Sequence, residues 1–453
     1  MSQTFHVNEF VDGQNIRAFN IKLLVWSFLA MFADGFDLNS LGFAAPALAE
    51  LWGVERSAMG PVLSANLVGI FLGAPVLGWL GDRYGRRPLI IGGILLFGSM
   101  TLLMAWTTTM EQMMALRFLA GIGIGGIMPN TISLNSELSP KRFRSTLIVL
   151  MFMGITTGST AVGLVAAYFV ESMGWQILFH LGGLMPIFIA IGLVFTLPES
   201  LKFLATRPER QAELIRTARS MRPDLQIDDD ARFLNPPIVS TSEGHFSELF
   251  KGGLAFITPL LWICFCIALM SNFFLNNMIP LIYSQYGIPA QEAALVATWY
   301  HAGGILGGLL ISVLLDRMGF SIVAIMFAAA IPFIALLGME ELPFGALAAV
   351  SGFGGIAILG AQFGNNAAAG LLYPTSIRAR GVGLALSIGR FGSILGPSAG
   401  ALLLGMNLDM QTVFLVASAP VLIGLIAAAL LTHLCYKRFN SFQIDDTPVT
   451  KES

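Results

Sequence analysis

Two aspartates, Asp34 and Asp37, lie in the middle of an apolar stretch running from about Leu23 to Leu48. A stretch of that length crosses a bilayer, which needs roughly 20 apolar residues. Spaced i, i+3, the two carboxylates share one face of a helix. At the depth of a bilayer centre each costs about 2.5–3.5 kcal/mol on insertion scales. A pair retained at that cost points to proton handling. Desolvation favours the protonated acid and a nearby cation favours the ionised one, so a carboxyl whose cation comes and goes exchanges a proton as the protein changes shape. Arg117, inside another apolar stretch, is the expected partner of Asp34 or Asp37. Arg390 lies roughly 15–18 Å along its own span at 1.5 Å per residue, near the midplane. A guanidinium forks onto a carboxylate bidentately. Arg390 therefore suits a clamp on an anionic substrate, with a structural ion pair as the alternative.

Other polar residues within apolar stretches extend the candidate binding set. His301 adjoins Trp299 and Tyr300, and substrate hydrogen bonding competes there with a satisfied core histidine. Asn272 and Asn276, spaced i, i+4, either line a site or join helices by amide hydrogen bonds. No His, Cys or carboxylate cluster has metal-ligand spacing, and no nucleophile–base pair can be assembled, so neither a metal nor a catalytic site is expected. The three cysteines are too few for a disulfide framework.

The elements that must position these residues follow from composition. Of 453 residues 55% are hydrophobic and only 11% charged, against about 25% charged in a soluble domain. The expected fold is all-α and integral to the membrane. Hydropathy divides the chain into twelve spans, bounded to within a few residues at about 22–46, 58–80, 88–107, 111–134, 145–170, 175–197, 254–284, 291–315, 321–339, 343–369, 380–405 and 411–436. One long polar segment, 198–252, separates a six-helix half at 1–197 from another at 253–437, and 438–453 forms a tail. Within the polar segment, Glu209–Met221 is amphipathic. The basic residues set the orientation. Arg56 alone falls in an outer loop and Arg117 and Arg390 fall within spans; every other Lys and Arg lies on one side together with both termini, which makes that side cytoplasmic.

Two motifs recur at nearly one offset. Asp82-Arg83-Tyr84-Gly85 returns as Asp316-Arg317-Met318-Gly319, 234 residues on, and Arg142-Phe143-Arg144 returns as Arg378-Ala379-Arg380, 236 residues on. Duplicated halves, the parallel-repeat plan of many transporters, account for both. In the first copy, Gly78-Trp-Leu-Gly-Asp82-Arg83-Tyr-Gly85-Arg86-Arg87, glycines allow a tight turn and close approach. Asp82 can accept bonds from a helix N-terminus or a nearby Arg. A latch of that kind suits a gate. The glycines from Gly121 to Gly126, and Gly392, Gly396 and Gly400, are expected to mark close helix packing.

The Gly78–Arg87 stretch resembles the loop signature of the major facilitator superfamily, as do Arg117-Phe-Leu-Ala-Gly121-Ile-Gly123, Glu137 with Pro140 and Arg144, and Pro198-Glu199-Ser200. The second loop copy departs from it, with Ser312 in place of Gly78 and Phe320-Ser321 in place of Arg86-Arg87. Asp34-Gly-Phe-Asp37 resembles more narrowly the signature of the aromatic acid:proton symporter family, although Leu38 and Asn39 follow it where many members carry small residues. The resemblance implies twelve helices in two pseudo-symmetric halves that rock to alternate access. It also implies proton-coupled uptake of an aromatic acid such as 4-hydroxybenzoate or protocatechuate. The expected setting is the bacterial inner membrane, with the chain a monomer needing no cofactor and no nucleic acid. The resemblance also implies functional weight for Glu137, Arg378 and Arg390. With the residue readings above, the expected roles are Asp34, Asp37, Arg117 and Glu137 in proton coupling; Arg390, His301, Asn272, Asn276, Trp299 and Tyr300 around the substrate; and Gly78, Asp82, Arg83, Gly85, Arg86, Arg144, Asp316, Arg317 and Arg378 in gating. The alternatives are another organic anion (benzoate, muconate or a dicarboxylate), a sugar-like solute, or a non-transporting membrane receptor.

Overall fold

The computed structural model describes residues 3–235, 249–251, 254–339, 342–373 and 378–439. Among them twelve long helices dominate. They are numbered α1 (Ala18–Trp52), α2 (Gly60–Tyr84), α3 (Arg86–Met104), α4 (Met110–Leu138), α5 (Lys141–Met173), α6 (Gln176–Thr196), α7 (Leu254–Gln285), α8 (Ala290–Met318), α9 (Ser321–Leu336), α10 (Phe344–Leu372), α11 (Arg378–Gly405) and α12 (Met410–Phe439). Each predicted span falls on one of these helices. Among the described residues nine helices are long and apolar enough to cross a membrane. The three outside that set are α1, which carries Asp34 and Asp37, α9, of only 16 residues, and α11, which carries Arg390. Large apolar side chains cover much of the exterior, among them Phe195 at 81% and Leu402 at 69% exposure. Such a surface needs a lipid solvent, in which a helix satisfies its own backbone groups.

The chain divides into two compact units. One holds Met1–Ser40, Ala65–Val162 and Ser172–Val239; the other holds Leu41–Ser64, Gly163–Glu171 and Ser240–Ser453. In the first, α3 packs against α4 and α6. In the second the main pairings are α8 with α10, α7 with α11, and α9 with α12. Small residues permit close helix approaches in both units. A Cβ on Gly121 of α4 would collide with the Asn66 backbone of α2, and one on Gly392 of α11 would collide with that of Cys266 of α7. The glycine runs are therefore packing seams, as their spacing suggests.

The loop repeat is visible in the backbone. Gly85 and Gly319, at matching places in the two motif copies, both turn the chain through positive φ, at +104° and +58°. Only glycine enters such turns without strain.

The chain before α1 is ordered by long-range contacts. Thr4–His6 pairs in parallel with Arg232–Leu234, and the rings of Phe5, Phe10 and Phe233 cluster with centroids 5.1–5.5 Å apart. Gln14 Nε2 donates to the Leu138 carbonyl at the end of α4 (2.8 Å), and Asp12 accepts from the Lys141 backbone N–H at the start of α5 (2.8 Å). The amphipathic piece of the polar segment forms the helix Gln211–Met221, with Leu214, Ile215, Ala218 and Met221 buried.

Candidate functional site

The first unit closes a buried ion pair. Asp37 on α1 is 0% exposed and Arg117 on α4 is 1% exposed. Arg117 Nη1 lies 3.1 Å from Asp37 Oδ2 and also donates to the Asp37 carbonyl at 3.2 Å. The other carboxyl oxygen, Oδ1, accepts from the Thr101 hydroxyl of α3 at 2.6 Å. The helices are brought together by what they lack. Gly35 lets α1 lie on the Ile155 backbone of α5, and Gly121 lets α4 lie on Asn66 of α2. Of the two acids offered by the sequence, Asp37 takes Arg117. Asp34 is also buried, one turn back on the same helix. An uncompensated charge at this depth is strongly unfavourable, so the pair is stable only while both partners are charged and in register.

Glu137 does not join this pair. It lies twenty residues beyond Arg117 on α4, roughly 30 Å at 1.5 Å per residue, and contacts Arg86 at 3.5 Å and the Ser200 hydroxyl. Its place is in the loop cluster, because the end of α4 that bears it runs alongside the start of α3 and the residues after α6. There Arg86 bridges Asp82 and Glu137. The carboxylate that meets the α3 N-terminus is Glu199, not Asp82. Glu199 is fully buried and accepts from the backbone N–H of Arg86 (2.9 Å) and of Arg87 (3.3 Å). Burial pushes its carboxyl above the usual range, although these donated bonds oppose the shift. Gly85 is required on two counts, its positive φ and the Glu199 carboxylate standing where a Cβ would point, whereas a Cβ on Gly78 would meet only the Pro129 ring, at an ordinary contact distance of 3.9 Å. Arg83 makes no ion pair with Asp82; it is exposed and stacks over Trp79 and Tyr84 at 5.7 and 5.6 Å. Arg144 reaches Asp12 at 3.8 Å and the Ser139 carbonyl at 3.3 Å.

The second unit gathers most of the residues expected around a substrate. The Tyr300 hydroxyl donates to Asn272 Oδ1 (3.0 Å), Asn272 donates on to Gln362 Oε1 of α10 (3.1 Å), and His301 Nε2 bonds Asn276 Oδ1 (2.8 Å). All four expected members of this network are buried. Trp299 is excluded from it. Two residues from His301 on a helix means about 200° of rotation, and Trp299 is accordingly 52% exposed on the other face of α8. Arg390 is half-buried on α11. Arg317 is exposed, and the side chains of Asp316 and Arg378 lie outside the described residues. Phe273 and Phe274 are both buried on α7, and Phe274 meets Phe414 edge-on at 6.4 Å.

A buried Asp–Arg pair within long apolar helices, a glycine-turned loop repeated at one offset and an amide–imidazole network are parts of a solute carrier, and comparison with known proteins decides which kind. The family model described as Major Facilitator Superfamily matches residues 27–260 and 261–441. The chain belongs to the major facilitator superfamily. It is thus a multi-pass membrane transporter with an all-α fold, and not an enzyme. The 4-hydroxybenzoate transporter PcaK of Pseudomonas aeruginosa (strain PAO1) is 35% identical, covering 94% of this chain and 96% of its own. The gallate transporter of Pseudomonas putida is 31% identical over 91% and 92%. Among solved structures, the inward-facing bacterial homologue of the human lysosomal transporter Spinster superposes with a TM-score of 0.69. It does so at 16% identity, covering 96% of this chain and all of that one, a likeness of fold alone.

Proposed function

We propose that this superfamily member takes up an aromatic carboxylic acid, such as 4-hydroxybenzoate or protocatechuate, together with protons across the bacterial inner membrane. Transport proceeds by alternating access in a monomer whose twelve helices all cross the membrane. Residues 1–197 and 253–437 act as the two halves, with the 198–252 segment and both termini cytoplasmic. The observation that carries this reading is the Asp37–Arg117 pair, buried in a chain similar over nearly its whole length to proteins called 4-hydroxybenzoate and gallate transporters. A benzoate-type monoanion entering a cell that is negative inside is opposed by about 2.3 kcal/mol per 100 mV. One proton carried along cancels that charge and leaves the pH gradient as the driving force.

Asp37 carries the proton: ionised, it holds Arg117; protonated, it releases it. Arg390 clamps the substrate carboxylate, while the Asn272–Tyr300 and Asn276–His301 pairs offer donors and acceptors to ring hydroxyls. Asp82, Arg86, Glu137 and Glu199 make and break the latch that gates one side. Uptake of radiolabelled 4-hydroxybenzoate into proteoliposomes under an imposed pH gradient tests the proposal. Benzoates carrying ring hydroxyls compete and hexoses do not. Saturable binding without counterflow exchange identifies a receptor instead, and competition by muconate or hexoses in place of hydroxybenzoates identifies a different substrate.

A further inference from the structure

Asp37 has two neighbours of different chemical kinds. Arg117 can only donate hydrogen bonds, so it satisfies an ionised carboxylate and offers no acceptor to a protonated one. A hydroxyl is both donor and acceptor. Thr101 is fully buried, and its hydroxyl is 2.6 Å from Asp37 Oδ1, the oxygen that Arg117 does not hold. Its methyl faces α6 at Gly182, where an added Cβ would stand 3.3 Å from Thr101 Cγ2 and 3.4 Å from the Phe36 ring. A threonine within a helix commonly bonds back to its own preceding turn; this one is turned outward onto α1. Among the described residues, the charged group paired with Asp37 from a neighbouring helix is Arg117 on α4. From α3 comes Thr101, from α2 Asn66, and from α5 and α6 Ile155, Ser159 and Gly182 against the same stretch of α1, with Asp34 one turn away on α1 itself.

We infer that Thr101 is a positioning residue of the proton site, donating to Asp37 when it is ionised and accepting from it when it is protonated. The hydroxyl turns about its C–O bond as the proton arrives, so the carboxyl keeps its place through Thr101 after Arg117 is released. This inference rests on the proton-carrying role of Asp37 and adds to it a residue with no charge of its own.

The test is the pH profile of uptake. Wild type, Thr101→Val and Thr101→Ser are reconstituted in proteoliposomes, and initial rates of radiolabelled 4-hydroxybenzoate uptake are measured across external pH 5 to 8. Counterflow exchange at fixed pH is measured in parallel. Valine keeps the shape and removes the donor to the carboxylate; a hydrogen bond to a charged group is strong enough to move half-maximal uptake by about one pH unit. Losing a bond that favours the ionised form moves that midpoint to higher pH. The expected result is this alkaline displacement in Thr101→Val, with exchange retained and the wild-type midpoint restored in Thr101→Ser. If Thr101→Val is not recovered folded, the same displacement is read in Thr101→Ala. A midpoint unchanged in the valine or alanine variant overturns the inference, as does a serine variant displaced as far as valine, which means that packing alone is at work. Absence of pH-driven uptake in wild type itself refutes the proton-coupled reading instead, so the two failures are distinct.

Discussion

Removing either member of the Asp37–Arg117 pair strands the other in a site with almost no exposure. Asp37→Asn leaves the Arg117 guanidinium, 1% exposed, without its counter-charge, and Arg117→Gln leaves a carboxylate at 0% exposure with only Thr101 and neighbouring amides. Breaking a buried pair from one side costs about 3–5 kcal/mol, most of it the penalty for the charge left behind. For a unit of this size that lowers the apparent Tm by on the order of 10 °C. The double variant Asp37→Asn/Arg117→Gln holds no stranded charge, and its two amides can bond to each other. Its Tm is therefore expected to recover at least half of the loss seen in either single variant. Thermal unfolding of the four proteins in one detergent, followed by tryptophan fluorescence, supplies the cycle. A double variant that loses the sum of the two single losses would show that the groups are not energetically coupled and would refute the ion-pair account.

Three further outcomes follow from neighbouring geometry. Asn276→Ala, which removes the acceptor held by His301, raises the half-saturation for uptake about ten-fold by leaving a buried imidazole without its partner; Trp299→Ala, on the exposed face, leaves it within about two-fold, and uptake kinetics separate the two. Gly392→Leu abolishes folded protein, read as loss of the monodisperse peak in size-exclusion chromatography, because the side chain would enter the Cys266 backbone. Glu199 gives a pH signature. Its carboxyl binds a proton more readily in the folded protein than in the unfolded chain, so its contribution to stability falls as pH rises from about 4 towards 7. The stability of wild type relative to Glu199→Gln is expected to decline over that interval in Tm measurements, and a rise would contradict the assignment.

The helices were legible because apolar runs of spanning length leave the backbone one solution, and the loop repeat was legible because a glycine at matching places in both copies turns through positive φ. A guanidinium and a carboxylate in apolar stretches announce each other, but which acid Arg117 takes depends on the rotation of α1 against α4, and that is set by Gly35 and Gly121 packing on other helices. Glu137 was grouped with the acid pair by resemblance, which assigns weight to a residue without saying how far along its helix it stands. Trp299 was grouped with His301 by adjacency, although helical rotation alone separates their faces. Thr101 gave no signal, since a threonine in an apolar helix usually serves its own backbone. The parallel pairing of Thr4–His6 with Arg232–Leu234 joins segments more than two hundred residues apart, and no local pattern announces such a contact.

Accumulation against a gradient tests the central claim most directly. Wild type and Asp37→Asn are reconstituted in vesicles with an inwardly directed pH gradient, and internal labelled 4-hydroxybenzoate is compared with counterflow exchange in the absence of any gradient. The account predicts that wild type concentrates the substrate while Asp37→Asn still exchanges it but only equilibrates. Full pH-driven accumulation by Asp37→Asn would contradict it.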